Sequence, residues 1–180
     1  GENGAVFVYG PQKGVKEEEK AAFDEKMRPY AKATSRFLGT HWDMAAGAGA
    51  AGGLGFAFLS YLPQASLEPG IRIVLEAVGL EKELADADVV LTGEGRLDAQ
   101  TAMGKAPAGV ARLAKRYGAQ VLAFAGGVEE GAEACHEQGI DAYFPIVRGA
   151  SSLAEAMEPE TARRNMAAAV EQVFRLICGR

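Results

Sequence analysis

The chain reads as an α/β protein built on a parallel sheet, and three observations say so. From Val89 onward, short apolar or β-branched runs alternate with segments of helix length. Strands separated by helices of that length pair in parallel through right-handed crossovers. Gly118, Gly126-Gly127 and Gly139 punctuate the alternation where turns are needed. A hydrophobic content of 48% is ample for a packed core.

In order along the chain, Asn3 can cap a short segment over residues 4–9. Val6 to Tyr9 prefer strand, but the following Gly10-Pro11 is a helix stop, so the segment reads as helix. Gly10 to Gly14 is a rigid turn displaying Gln12 and Lys13. Residues 15–38 read as one long helix with Phe23, Met27, Tyr30, Thr34 and Phe37 on a buried face. Pro29 is expected to bend or interrupt it near Arg28, and Gly39 ends it. His41 and Trp42 follow without partners in sequence.

Gly47, Gly49 and Gly52 satisfy G-x-G-x-x-G in letter. No β-branched strand precedes them and no suitable acid follows, so a dinucleotide fingerprint is a weak reading. So many residues without side chains permit either close helix packing or close approach of a ligand. Phe56 to Leu62 continue as helix up to Pro63, and residues 63–69 read as the seam between two domains. Pro69-Gly70 opens a helix through Val78 with Ile71, Val74, Leu75 and Val78 on its apolar face. Glu81 to Ala85 is a short helix. Strands are expected at 89–91, 120–125 and 142–146, and helices at 106–117, 129–138 and 160–177. Ser152 caps a further short helix, and Met166, Val170, Val173 and Ile177 face inward from the last one. Three strands make a thin sheet, so further strands are expected from chain outside this sequence.

The charge balance, 24 acids against 19 Lys and Arg, argues against nucleic acid or an anionic membrane surface as the main partner. No apolar run approaches the ~18 residues of a membrane helix. Cys135 and Cys178 stand apart without metal-type spacing, which fits a reduced, cytoplasmic setting. The chain opens GENG without Met and reads as a piece of something longer, or as carrying an added scar.

The stretch 88–105, DVVLTGEGRLDAQTAMGK, organises the rest. Val89 to Thr92 look like a buried strand. Gly93-Glu94-Gly95 is expected to turn tightly and expose backbone N–H groups. Arg96, Asp98, Gln100 and Thr101 follow within a few residues. Open α/β sheets place ligands where a strand ends and a helix begins, and a helix start suits phosphate. The alternative is an ordinary connection whose polar residues face water, with Arg96 and Asp98 an ion pair that only holds the loop. Gly104-Lys105 is not a Walker A end, because Ala99 stands where a second glycine is required.

Several motifs resemble the class I glycerate kinases: FVYGPQKG at 7–14, AGAGAAGGLG at 46–55, PGIRIVLEAVGL, GIDAYFPI and, most specifically, LTGEGRLDAQTAMGKAPAGVA at 91–111. The resemblance covers essentially the whole chain. It implies a Rossmann-like parallel sheet with helices on both faces over residues 65–180, the returning half of that domain. Residues 1–64 would end a second, inserted α/β domain. The family's N-terminal glycine- and aspartate-rich motifs are absent, so an N-terminal half of the same protein is an expected partner.

The implied reaction is Mg²⁺-assisted transfer of the ATP γ-phosphoryl to a hydroxyl of D-glycerate, with 2-phosphoglycerate the favoured product. Asp98 would orient the hydroxyl or a metal-bound water, with Glu94 the runner-up. Arg96 would hold a carboxylate or phosphate with its planar fork. Gly93 and Gly95 would offer amides, Thr101 and Lys105 would contact phosphate or metal-bound water, and Gly126 would lie under the nucleotide. Gln12 and Lys13, with Gly49 and Gly52, would meet the substrate. Two other classes stay open: a noncatalytic nucleotide- or hydroxy-acid-binding module, and a dinucleotide oxidoreductase domain. A homo-oligomer is open as well.

Overall fold

The computed structural model describes residues 1–179, apart from the side chain of Gln12. The chain forms two compact units, Gly1–Glu68 and Pro69–Arg180.

In the N-terminal unit, α1 (Ala5–Tyr9) is helical and stops at Gly10-Pro11. Turns of 3₁₀ helix at Pro11–Lys13 and Glu17–Glu19 follow, so the long helix α2 runs from Lys20 to Leu38 rather than from Val15. Gly39, in the left-handed conformation, closes it. Pro29 lies inside α2 without interrupting it. A proline removes the bond to the carbonyl four residues back, here that of Glu25. Glu25 is exposed, so water can serve that carbonyl.

The expected buried face of α2 holds only at Thr34, whose hydroxyl lies 3.1 Å from that of Tyr61. Phe23, Met27 and Tyr30 are exposed, and Phe37 is 83% exposed, while Asp24 is buried. Too little of this unit covers the stripe that periodicity marks as apolar. Tyr30 keeps one edge-on contact with Phe56, at 5.6 Å between ring centres.

Helix α3 (Ala50–Tyr61) opens with Ala51, Gly52 and Gly53 in left-handed conformation before it becomes regular. The glycines around it let the chain pack on itself. A Cβ on Gly55 would run into the Gly47 carbonyl, and one on Gly49 would sit 3.0 Å from the Ala5 nitrogen.

The C-terminal unit begins with α4 (Gly70–Ala77) and α5 (Leu80–Glu83). Strand β1 (Val89–Leu97), the short α6 (Ala99–Ala102) and α7 (Ala106–Lys115) come next. Strand β2 (Gln120–Val128) leads through a 3₁₀ segment (Ala132–Gln138) to β3 (Ala142–Pro145). Helices α8 (Leu153–Ala156), capped by Ser152, and α9 (Pro159–Ile177) finish the unit.

The sheet has the order β1-β2-β3 and is parallel throughout, with Val89 opposite Gln120 and Leu122 opposite Ala142. Its two faces have separate cores. Val121, Ala123 and Ala125 pack with Ala111 and Ala114 of α7 and with Cys135 and Ile140. On the opposite face, Leu122 and Phe124 pack with Val173 of α9.

Several expectations are corrected here. Strands β1 and β2 run through their glycines instead of stopping before them. The segment after β2 is 3₁₀ rather than α. Only Val173 of the expected α9 face is buried, with Met166 and Ile177 exposed, and on α4 Val74 and Val78 are exposed.

Candidate functional site

The site stands at the carboxyl end of β1. Gly93-Glu94-Gly95 was expected to be a tight turn; the backbone is extended, with Gly93 opposite Phe124, Glu94 opposite Ala125 and Arg96 opposite Gly127. The glycines there serve close approach. A Cβ on Gly93 would collide with the Phe124 carbonyl, and one on Gly126 would sit 2.7 Å from the Gly95 carbonyl oxygen. A Cβ on Gly95 would meet nothing within 4 Å. Leu97 and Val128 join the same core as Ala125, although Val128 is three residues beyond it. The period-two alternation of the strand pair therefore shifts across the glycines.

Asp98 follows β1 and caps α6. Its Oδ1 accepts the Thr101 backbone N–H at 3.0 Å, and its own N–H donates to the Thr101 hydroxyl at 3.2 Å. That exchange is a capping box. Thr101 is fully buried and donates its hydroxyl proton to Oε1 of Glu94. The Lys105 ammonium lies 3.2 Å from Oδ1 and 3.4 Å from Oδ2 of Asp98.

The Asp98 side chain is only 25% exposed. Burial alone would push its carboxyl up the pKa scale. The hydrogen bonds from Lys105 and from the Thr101 N–H outweigh that and hold it below the usual aspartate value. Under the cluster lies the buried thiol of Cys135. Burial pushes its pKa up, and the Glu94 and Asp98 carboxylates add to the rise.

Arg96 does not pair with Asp98. Its guanidinium reaches Glu129, just beyond β2, at 2.9 Å, and its side chain is 61% exposed. The Glu129 N–H also donates to the Leu97 carbonyl at 2.9 Å, so the two strand ends are tied together. Glu129 was missed in sequence, and Cys135 was read there only as an isolated cysteine. Parallel register could have found Glu129, because it places the residue after β2 level with the end of β1.

The structure therefore brings Glu94, Asp98, Thr101 and Lys105 together and leaves Arg96 beside them on Glu129. A cavity of about 750 Å³ in the same unit is lined by α4, α5 and α7, including Ile71, Leu75 and Leu113, and by none of those four residues. In the N-terminal unit, Lys13 and Gly52 share a cavity of about 610 Å³ with Tyr9 and Phe23, while Gly49 lines another of about 290 Å³. The side chain of Gln12 lies outside the described residues.

A parallel α/β sheet that gathers two carboxylates and an ammonium where a strand gives way to a helix defines the class of α/β proteins that take small ligands at strand ends. The comparisons narrow that class. The model of the glycerate kinase family matches residues 1–178. The glycerate kinase of Halalkalibacterium halodurans is 46% identical over 93% of this chain and 45% of its own length. The glycerate 2-kinase of Escherichia coli is 40% identical over 87% of this chain and 41% of its own length. A crystal structure of a protein described as glycerate kinase 2 from Salmonella typhimurium LT2 aligns with a TM-score of 0.59 at 39% identity, covering 97% of this chain and 46% of that one. The chain belongs to the glycerate kinase family, and it spans a little under half the length of these relatives.

Among the described residues, no helix is long and apolar enough to cross a membrane, and no group of three or more His, Cys, Asp or Glu could hold a metal ion.

Proposed function

We propose that this chain is part of an ATP-dependent glycerate kinase that phosphorylates D-glycerate and acts together with the further sequence its relatives carry. The observation that supports this best is the Glu94–Thr101–Asp98–Lys105 cluster at the end of β1. Phosphoryl transfer asks a protein for positioning and for positive charge near the transferred group, and little else. Asp98 is the group that orients the substrate hydroxyl and accepts its proton. The new bond joins that hydroxyl oxygen to the γ-phosphorus, and the bond to the β,γ-bridging oxygen breaks, releasing ADP. Lys105 leaves Asp98 to meet the phosphate oxygens, and Arg96 leaves Glu129 to hold the glycerate carboxylate. Of the proposed nucleotide contacts Gly93, Gly95 and Gly126, Gly95 is the one with open space where a Cβ would stand, so the close approach falls there.

The donor set fits Mg²⁺. This ion takes one or two carboxylates and completes its shell with water and phosphate, so three clustered protein ligands are not needed. Asp98 would hold it, and the ion would supply charge neutralisation on the phosphate oxygens. The free thiols and the reliance on ATP support a cytoplasmic setting.

The test is ADP release by the full-length protein with ATP, Mg²⁺ and D-glycerate, with the product identified by ³¹P NMR. The 2-phosphate ester is the expected product. A protein that releases no ADP above its glycerate-free background is not a glycerate kinase.

A further inference from the structure

We propose that Thr101 is a positioning residue for phosphoryl transfer: its buried hydroxyl anchors Glu94 and so leaves Asp98, with its Oδ2, as the acid presented to substrate. This deepens the kinase reading and rests on it. The cap alone does not account for Thr101. A capping box needs only the exchange between Asp98 and Thr101. The Thr101 hydroxyl also lies 3.3 Å from Asp98 Oδ1, but it is closer to Glu94, seven residues upstream on β1, and sends its proton there. Helix α6, from Ala99 to Ala102, is too short for a cap to add much stability.

A hydroxyl has one proton to give. Because Glu94 takes it, Asp98 is oriented through the Thr101 backbone N–H and through Lys105. Both of those donors bind Oδ1, at 3.0 and 3.2 Å. Oδ2 has Lys105 alone, at 3.4 Å. When the ammonium moves to a phosphate, Oδ2 is the oxygen set free, and Oδ1 keeps its backbone bond. Without the Thr101 hydroxyl, Glu94 loses its donor and is free to compete for Lys105.

The experiment uses the full-length protein with Thr101→Val, which keeps the shape and removes the hydroxyl, and Thr101→Ser, which keeps the hydroxyl. Thr101→Val is expected to lower kcat by about thirtyfold, within the range of a positioned proton-transfer group. Its KM values for ATP and D-glycerate should stay within about threefold, and Thr101→Ser should recover kcat to within about threefold of wild type. Should Thr101→Val not fold, Thr101→Cys, a weak donor of similar size, takes its place under the same criteria. A hydroxyl-free variant with wild-type kcat, a loss equal to the loss of folded protein, or a Ser variant as damaged as the Val variant each overturns the proposal. Asp98→Asn is run in parallel. If it turns over normally, the kinase reading of this cluster falls and Thr101 with it. If it is impaired while Thr101→Val is normal, only the role of Thr101 falls.

Discussion

The two glycine-rich stretches of this chain look alike in composition and do opposite things. At Gly93 to Gly95 the backbone stays extended within β1, and the missing side chain of Gly93 lets β1 and β2 lie against each other. At Ala51 to Gly53 the backbone takes three consecutive left-handed conformations, and the helix starts only after them. In one place glycine supplies space, in the other it supplies dihedral freedom. Their surroundings differ as well. The strand pair lies between two apolar cores, whereas the helix beside the other stretch leaves Phe37 and Met27 in the open. Glycine count alone therefore marks a site poorly; what distinguishes the β1 end is that two carboxylates, a hydroxyl and an ammonium are fixed there.

Substitutions can break or sharpen that contrast. The largest expected effect is on turnover: Asp98→Asn in the full-length protein should lower kcat by about a hundredfold or more, the scale of a positioned acid–base group. A near-normal rate in a steady-state assay would remove Asp98 from the chemistry. Next is Gly93→Ala, whose new methyl meets the Phe124 carbonyl. It should destabilise by about 2–3 kcal/mol in denaturant unfolding, in the range of overpacked positions. Gly95→Ala meets nothing and should leave unfolding unchanged, so equal melting of the two variants would refute the close-approach reading.

In the other stretch, Ala51→Gly removes the cost of a left-handed alanine, with φ at 50°. After subtracting the chain entropy of glycine, the gain should be about 0.5–1 kcal/mol, read as a raised melting temperature. A lowered one would mean that Ala51 is not strained.

The smallest effect is on acid stability, through Asp141. Burial alone would raise its pKa, but the Lys115 ammonium at 2.5 Å and the Val121 N–H at 2.6 Å outweigh that and hold it below the ordinary value. The folded state thus binds fewer protons than the unfolded one, and the stabilisation is present above the ordinary aspartate pKa of about 3.9. It is lost as pH falls through the lower, folded value. With both side chains over a third exposed, the contribution is screened to about 0.5 kcal/mol. Asp141→Asn should flatten the stability curve below about pH 4 by that amount. An unchanged acid limb in pH-dependent urea melts would assign the bridge no net worth.

Much of this molecule can be read in its residues. Short apolar or β-branched runs located all three parallel strands, and Ser152 located the start of α8. These signals are local: a side chain's shape, a missing N–H or a cap acts within a few residues. The capping exchange of Asp98 with Thr101 is local in the same way, and its spacing is visible in DAQT.

What only the tertiary structure decided involves partners distant in sequence. Whether Gly93 to Gly95 turns or extends depends on whether another strand offers hydrogen bonds there, and β2 does so as far as Val128. Arg96 sits close to Asp98 in the chain yet pairs with Glu129, because parallel register sets the two strand ends level. The periodic stripe on α2 says which residues share a face, but burial needs a second surface, and within the N-terminal unit Thr34 alone of that stripe is buried. Sequence fixes what each short segment can do; which of those capacities is used depends on which distant backbone supplies the missing hydrogen bonds and apolar contacts.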